Sequence, residues 1–159
     1  MDRGQFTANV KATQGALRRF LTALCCGDSC LADDIAQESY VKAYLSTDGL
    51  RDGAKFRSWI FRIAYTTFLN HRRAGRDMVG YEAVRETPGS ETADGAFRYQ
   101  QLYEALERIP AHERTSVLLY YMEGYSAREV AEITGATEET VRKHLSRGRE
   151  HLRGLLSNK

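Results

Sequence analysis

Residues 126–153 read SAREVAEITGATEETVRKHLSRGREHLR. Ser126 with Glu129 three positions on forms a capping box, which predicts a helix running through Thr134. Gly135 permits the turn that follows, because glycine enters the left-handed region without steric cost. Thr137 then caps a second helix. Glu138 and Glu139 fall in its first turn and Arg147, Arg149 and Arg153 further along, in agreement with the helix dipole. Small Ala131 stands where two helices must approach closely, and Val141, Leu145 and Leu152 share one side of the last helix. This is the spacing of a helix-turn-helix.

With that stripe inward, Arg142, Lys143 and Ser146 project oppositely, flanked by Arg147 and Arg149. Arginine and lysine on such a face reach guanine edges or phosphates, and a bidentate base contact discriminates by about 1–3 kcal/mol. A basic surface helix is the plainer alternative. The cap, the turn glycine and the apolar stripe together favour DNA.

Working outward, the 159 residues suffice for two small domains, and 42% hydrophobic with 28% charged residues and two prolines describes a folded, helix-rich chain. The net charge of +2 conceals a pattern. Residues 51–76 hold seven bases against Asp52 alone, residues 77–96 hold five acids against Arg85, and the last twenty residues hold six bases against Glu150. Two basic zones suit two contacts with a polyanion, although solvated faces would carry the same charges.

Helical periodicity dominates, so the class expected is all-α, with two small helical domains joined by a flexible linker. Helices are predicted at about residues 4–24, 31–47 and 55–74, with a glycine-containing turn at 48–54, giving an N-terminal domain over residues 1–74. Residues 75–96 hold four glycines and Pro88 without a sustained period and read as an acidic linker. Residues 97–159 form the second domain. There Tyr99, Leu102, Leu106 and Ile109 mark a helix stopped by Pro110, and Val117, Leu118 and Tyr121 mark another ending near Gly124.

Cys25, Cys26 and Cys30 are odd in number and poorly spaced for zinc or a disulfide framework, so they read as reduced, buried thiols. The N-terminal stretch lacks a signal-peptide core and no apolar run is long enough for a membrane span, which predicts a cytoplasmic protein.

Two segments of the first half carry surface chemistry. In residues 31–45, LADDIAQESYVKAYL, one wheel face collects Ile35, Ala36, Ser39, Tyr40, Ala43 and Tyr44 for packing. The other sets Asp34, Gln37, Glu38 and Lys42 beside Val41 and Leu45, a mixture suited to a partner helix or to plain solvent. In residues 56–76, FRSWIFRIAYTTFLNHRRAGR, the stripes Phe61, Tyr65, Phe68, Leu69 and Phe56, Ile60, Ile63, Thr67 are expected to be core. Trp59, Arg62, Thr66 and Arg73 share the remaining face, where an aromatic ring can stack an unpaired base and arginines can hold phosphates.

The stretch over residues 102–153, LYEALERIPAHERTSVLLYYMEGYSAREVAEITGATEETVRKHLSRGREHLR, resembles region 4 of the extracytoplasmic-function sigma factors. Residues 31–45 resemble region 2.2 of the same family and residues 56–76 resemble regions 2.3 and 2.4. The resemblance covers about residues 5–74 and 98–155 in the family's order. It implies a promoter-specificity subunit of RNA polymerase, with region 4 reading the minus-thirty-five element through Arg142, Lys143, Ser146 and Arg147. Asp34, Gln37 and Glu38 would grip the β′ clamp helices of core polymerase. Leu50 and Arg51, with Trp59, Arg62, Thr66 and Arg73, would melt and capture the minus-ten element. Core polymerase (β′ and β subunits), promoter DNA and an anti-sigma factor are the partners implied. Lys143 and His144 stand where the family usually has Ser-Arg, and Thr66 and Leu50 where it often has asparagine and an aromatic. The role therefore carries over and the promoter sequence does not.

A free-standing repressor would need the helix-turn-helix but no polymerase-docking face. An enzyme would need a converging constellation, and none is legible among His71, His112, His144 and His151, of which His144 and His151 fall on a solvent-side helix. No phosphate loop, metalloprotease helix or nucleophile elbow occurs, so no catalytic residue, cofactor, metal or small-molecule substrate is expected.

Overall fold

A computed structural model describes residues 1–50, 52–77 and 93–157, and side chains for 1–50, 52–75 and 99–157. Among them the chain is helical without strands. Seven α-helices follow in order: α1 (Arg3–Leu24), α2 (Ser29–Leu45), α3 (Phe56–Asp77), α4 (Ala93–Arg108), α5 (Ala111–Val117), α6 (Ala127–Thr134) and α7 (Glu138–Ser157).

Caps explain most of the boundaries. Asp2 caps α1 by accepting from the Gln5 amide at 2.8 Å, and Gln5 returns the bond to the Asp2 amide. Asp28 caps α2 by accepting from the Leu31 amide. Between α1 and α2 the chain reverses through Cys26 and Gly27, both at positive φ. The glycine-containing segment before α3 is two short 3₁₀ turns, Thr47–Gly49 and Gly53–Lys55. Pro110 ends the run of α4 and opens α5, which passes into a π-helical turn over Leu118–Met122.

The N-terminal unit, α1 to α3, buries Leu17, Phe20, Leu21 and Leu24 against Ile35 and against Phe56, Ile60, Phe61, Ala64 and Phe68. Both aromatic stripes of α3 thus line the core as their spacing predicts, save that Ile63 and Leu69 are only partly buried at its edge. Polar groups inside are bonded: buried Ser39 donates to the Ile35 carbonyl at 2.6 Å, and Thr13 meets the Tyr40 hydroxyl at 2.8 Å. The C-terminal unit closes around Leu106, Ile109, Leu119, Val130, Ile133, Val141 and Leu145. The two cores run together into one apolar cluster.

Four local expectations are corrected. Tyr44 is half exposed, because the edge-on Phe6 ring at 5.3 Å covers only one side of it. Tyr121 is exposed because the π-helical turn rotates it away from buried Leu118 and Leu119. Tyr99 is exposed and stacks on Tyr103. Cys30 lies exposed in the first turn of α2, while Cys25 and Cys26 are partly buried. Burial, with Asp28 and Cys26 nearby, pushes the Cys25 thiol up to about 12, so it stays protonated and unreactive. No helix among the described residues is long and apolar enough to cross a membrane.

Candidate nucleic-acid interface

The helix pair is built as its residues dictate. The Glu129 amide donates to Ser126 Oγ at 3.1 Å and the Ser126 amide donates to Glu129 Oε1 at 3.0 Å, completing the capping box. Gly135 sits at φ 75° in the turn. Thr137 Oγ1 accepts from the Thr140 amide and so opens α7. Val130 and Ile133 of α6 and Val141 and Leu145 of α7 are buried, which fixes the rotation of α7 about its axis.

That rotation leaves Arg142, Lys143, Ser146, Arg147 and Arg149 exposed. Arg142 Nη2 lies 2.7 Å from Glu138 Oε1 and Lys143 Nζ 3.9 Å from Glu139 Oε1, one helical turn apart in each case. Such solvated pairs are worth only a few tenths of a kcal/mol, so the cations remain available to a stronger anion. Arg149 donates to the Tyr121 hydroxyl at 3.0 Å, which ties it to the π-helical turn.

His151 is exposed on α7, as expected, while His144 is partly buried, and both rings have partners on α5. The ring of His144 rests 4.4 Å from that of His112, and His151 Nδ1 lies 2.8 Å from Glu113 Oε1. Glu113 is almost wholly buried and also has His112 Nε2 at 4.0 Å. Burial first, then the neighbouring His112, lowers the His144 pKa. These groups bolt α7 to α5. Sequence periodicity missed Glu113 because a charged residue contributes nothing to an apolar stripe. It missed Gly148 as well, whose flank lies directly against Val117.

In the N-terminal unit Arg62, Thr66 and Arg73 share the exposed face of α3, and half-buried Trp59 leans edge-on against Phe56 at its start. The Thr66 hydroxyl donates to the Arg62 carbonyl. Leu50 packs partly against the core, and Arg51 lies outside the described residues. On α2, Asp34 and Gln37 are exposed in line with Val41, Tyr44 and Leu45, the last 77% exposed. Glu38 stands at the edge of that line, 2.7 Å from His71 Nε2 and 3.5 Å from Lys42 Nζ, and the His71 bond foremost lowers its pKa. Leu50 and Arg51 apart, the expected residues fall on three surfaces: the outer face of α7, the outer face of α3 and a stripe on α2. None forms an enclosed pocket, and among the described residues no cluster of metal-ligating side chains occurs.

Family models match both units: Sigma-70 region 2 over residues 10–77, and Sigma-70, region 4 over residues 99–152. The chain is 26% identical over 153 residues to the ECF RNA polymerase sigma factor EcfG of Rhodopseudomonas palustris, covering 93% of this chain and 83% of that one. It is 30% identical over 142 residues to the ECF RNA polymerase sigma factor SigW of Bacillus subtilis, covering 79% of this chain and 75% of the other. Among solved structures, the sigma factor RpoE in complex with the anti-sigma factor NepR from Bartonella quintana superimposes with a TM-score of 0.82 at 26% identity, over 97% of this chain and 98% of that one. With a region 2 unit and a region 4 helix-turn-helix in that order along one chain, this protein belongs to the extracytoplasmic-function sigma factors of the sigma-70 family and serves in promoter recognition by RNA polymerase.

Proposed function

We propose the following division of labour. Residues 97–159 anchor the chain upstream by laying the outer face of α7 in the major groove of the minus-thirty-five element. Arg142, Lys143, Ser146 and Arg147 face base edges and phosphates there, and Arg149 meets the backbone at the rim. Residues 1–74 dock on core RNA polymerase and open the minus-ten element. Asp34, Gln37 and Glu38 of α2 meet the β′ clamp helices, with exposed Val41 and Leu45 supplying apolar area beside them. Leu50, Arg51, Trp59, Arg62, Thr66 and Arg73 hold the separated strand. Residues 75–96 are the acidic connection between the two. The protein works in the cytoplasm and is not an enzyme: the chemistry of RNA synthesis stays with the polymerase, and the region 4 unit also touches its β subunit. Because the structurally similar RpoE was solved with an anti-sigma factor, an inhibitor of that kind is the remaining partner.

The observation that carries this reading is the set of four outward polar side chains on α7 backed by buried Val141 and Leu145. Cations so displayed suit a groove lined by phosphates and guanine edges. Run-off transcription with purified core polymerase tests it. Promoter-directed transcripts that appear only when the protein is added are expected. DNA binding without any such transcript would leave a free-standing repressor instead.

A further inference from the structure

Tyr121, in the π-helical turn that follows α5, is 53% exposed although its neighbours Leu118 and Leu119 are buried. In a regular α-helix it would lie four positions beyond buried Val117, on the same inward face. The turn is wider here: the Glu123 amide donates to the Leu118 carbonyl, five positions back, at 3.2 Å, and this swings Tyr121 outward. There its hydroxyl accepts from Arg149 Nη1 of α7 at 3.0 Å. The Tyr120 ring stands edge-on to the Tyr121 ring at 4.9 Å, which limits the directions that ring can take.

We propose that Tyr121 is a positioning residue for DNA: it holds the Arg149 guanidinium ready for a backbone phosphate at the edge of the upstream element. The inference rests on the reading of α7 as the helix that lies on that element. α7 has 20 residues and is about 30 Å long, whereas the major groove is about 12 Å wide. A helix that meets base edges through its N-terminal half therefore carries its second half out past the phosphates. Arg149 lies two turns beyond Arg142, about 10 Å further along and on the same side of the helix. It stands where the rim of the groove passes.

The partner suits the task. Arg142 and Lys143 lean on Glu138 and Glu139, whose charges a phosphate has to displace. A tyrosine hydroxyl fixes a guanidinium without neutralising it. Of the five N–H donors of arginine the hydroxyl takes one, so a phosphate can still be met by two. A long side chain loses rotamer freedom on docking, and one already held loses less. Both residues are exposed, so the bond holds no part of the core in place.

The test uses the full chain as wild type, Tyr121→Phe, Arg149→Ala and the two together, with the double variant Arg142→Ala, Lys143→Ala as the reference for α7. Fluorescence anisotropy reads binding to a labelled mixed-sequence duplex of about 20 base pairs over a series of potassium chloride concentrations, since a phosphate contact needs no particular sequence. Arg149→Ala is expected to weaken binding about threefold or more and to lower the slope of log affinity on log salt by about 0.9, the share of one phosphate. Tyr121→Phe keeps the ring and removes only the hydroxyl. It should weaken binding about twofold or more, lower the slope by part of that amount, and have no effect once Arg149 is replaced. Arg149→Gln takes the place of Arg149→Ala should the latter not fold. A bond that merely fastened α7 to the π-helical turn would alter stability and leave the salt slope alone. An unchanged slope in either single variant, or a Tyr121→Phe effect that persists without Arg149, overturns the inference; the reading of α7 stands if the reference variant binds more weakly than wild type. Unchanged binding by the reference variant, or none by wild type, overturns both.

Discussion

Gly148 of α7 lies so close to Val117 of α5 that a β-carbon placed on it would stand 2.8 Å from Val117 Cγ2. Val117 is buried and, being β-branched, has little freedom to turn aside. The missing side chain lets α7 sit directly on α5.

Gly148→Ala should therefore destabilise the protein although alanine favours helix. Overpacking costs about 1–3 kcal/mol against a propensity gain of about 1 kcal/mol, leaving a net loss of roughly 1 kcal/mol. Urea unfolding monitored by circular dichroism measures it. A more stable variant would show that α5 and α7 can separate freely.

Removing the cap of the helix-turn-helix has a defined cost. Ser126→Ala deletes the acceptor of the Glu129 amide, and a loss of about 1 kcal/mol is expected. Hydrogen exchange at the first turn of α6 should rise with it, and unchanged protection there would deny the cap its role.

Acid should loosen the seat of α7. Burial and His112 lower the His144 pKa below its ordinary value of 6.5, with Arg147 lowering and Glu113 raising it more weakly. The folded state thus prefers the neutral ring. As pH falls through 6.5 the unfolded chain binds more protons than the folded one, so the stability held above that value is lost on the way down to the lower folded pKa. His144→Gln is expected to flatten the dependence of unfolding free energy on pH over that window. An equally steep profile in the variant would locate the acid sensitivity elsewhere.

On α2, Val41 is 59% exposed and packs against little, so Val41→Asp should fold normally. In the proposed docking surface it would bury a charge, and a loss of at least tenfold in core polymerase affinity is expected, the scale of an interface residue worth over 1 kcal/mol. Equilibrium binding to core polymerase reads it, with normal affinity removing this stripe from the docking surface.

How far the sequence foretells this molecule depends on what each residue signals. The helix-turn-helix was legible in full, because a capping box at Ser126 and Glu129, a turn glycine at 135 and an apolar stripe are all local features. The stripes of α3 were legible for the same reason. The interaction of Glu113 with His151, and that of Glu123 with Arg19, were not: the latter joins residues 104 positions apart, and a buried carboxylate has the same letter as a solvated one. Tyr121 was misjudged because a π-helical turn shifts the register that a regular period assumes. The candidate DNA face was legible as a consequence of its buried back, while the side-chain partners of Arg142 and Lys143 required the fold.

A footprint of the holoenzyme formed with this chain tests the assignment of α7 to the upstream element. Wild-type protein should protect both the minus-thirty-five and the minus-ten elements. The double variant Arg142→Ala, Lys143→Ala should lose upstream protection while still joining core polymerase with unchanged affinity. Upstream protection that survives the double variant, or polymerase binding lost along with it, would contradict the assignment of α7 to the upstream element.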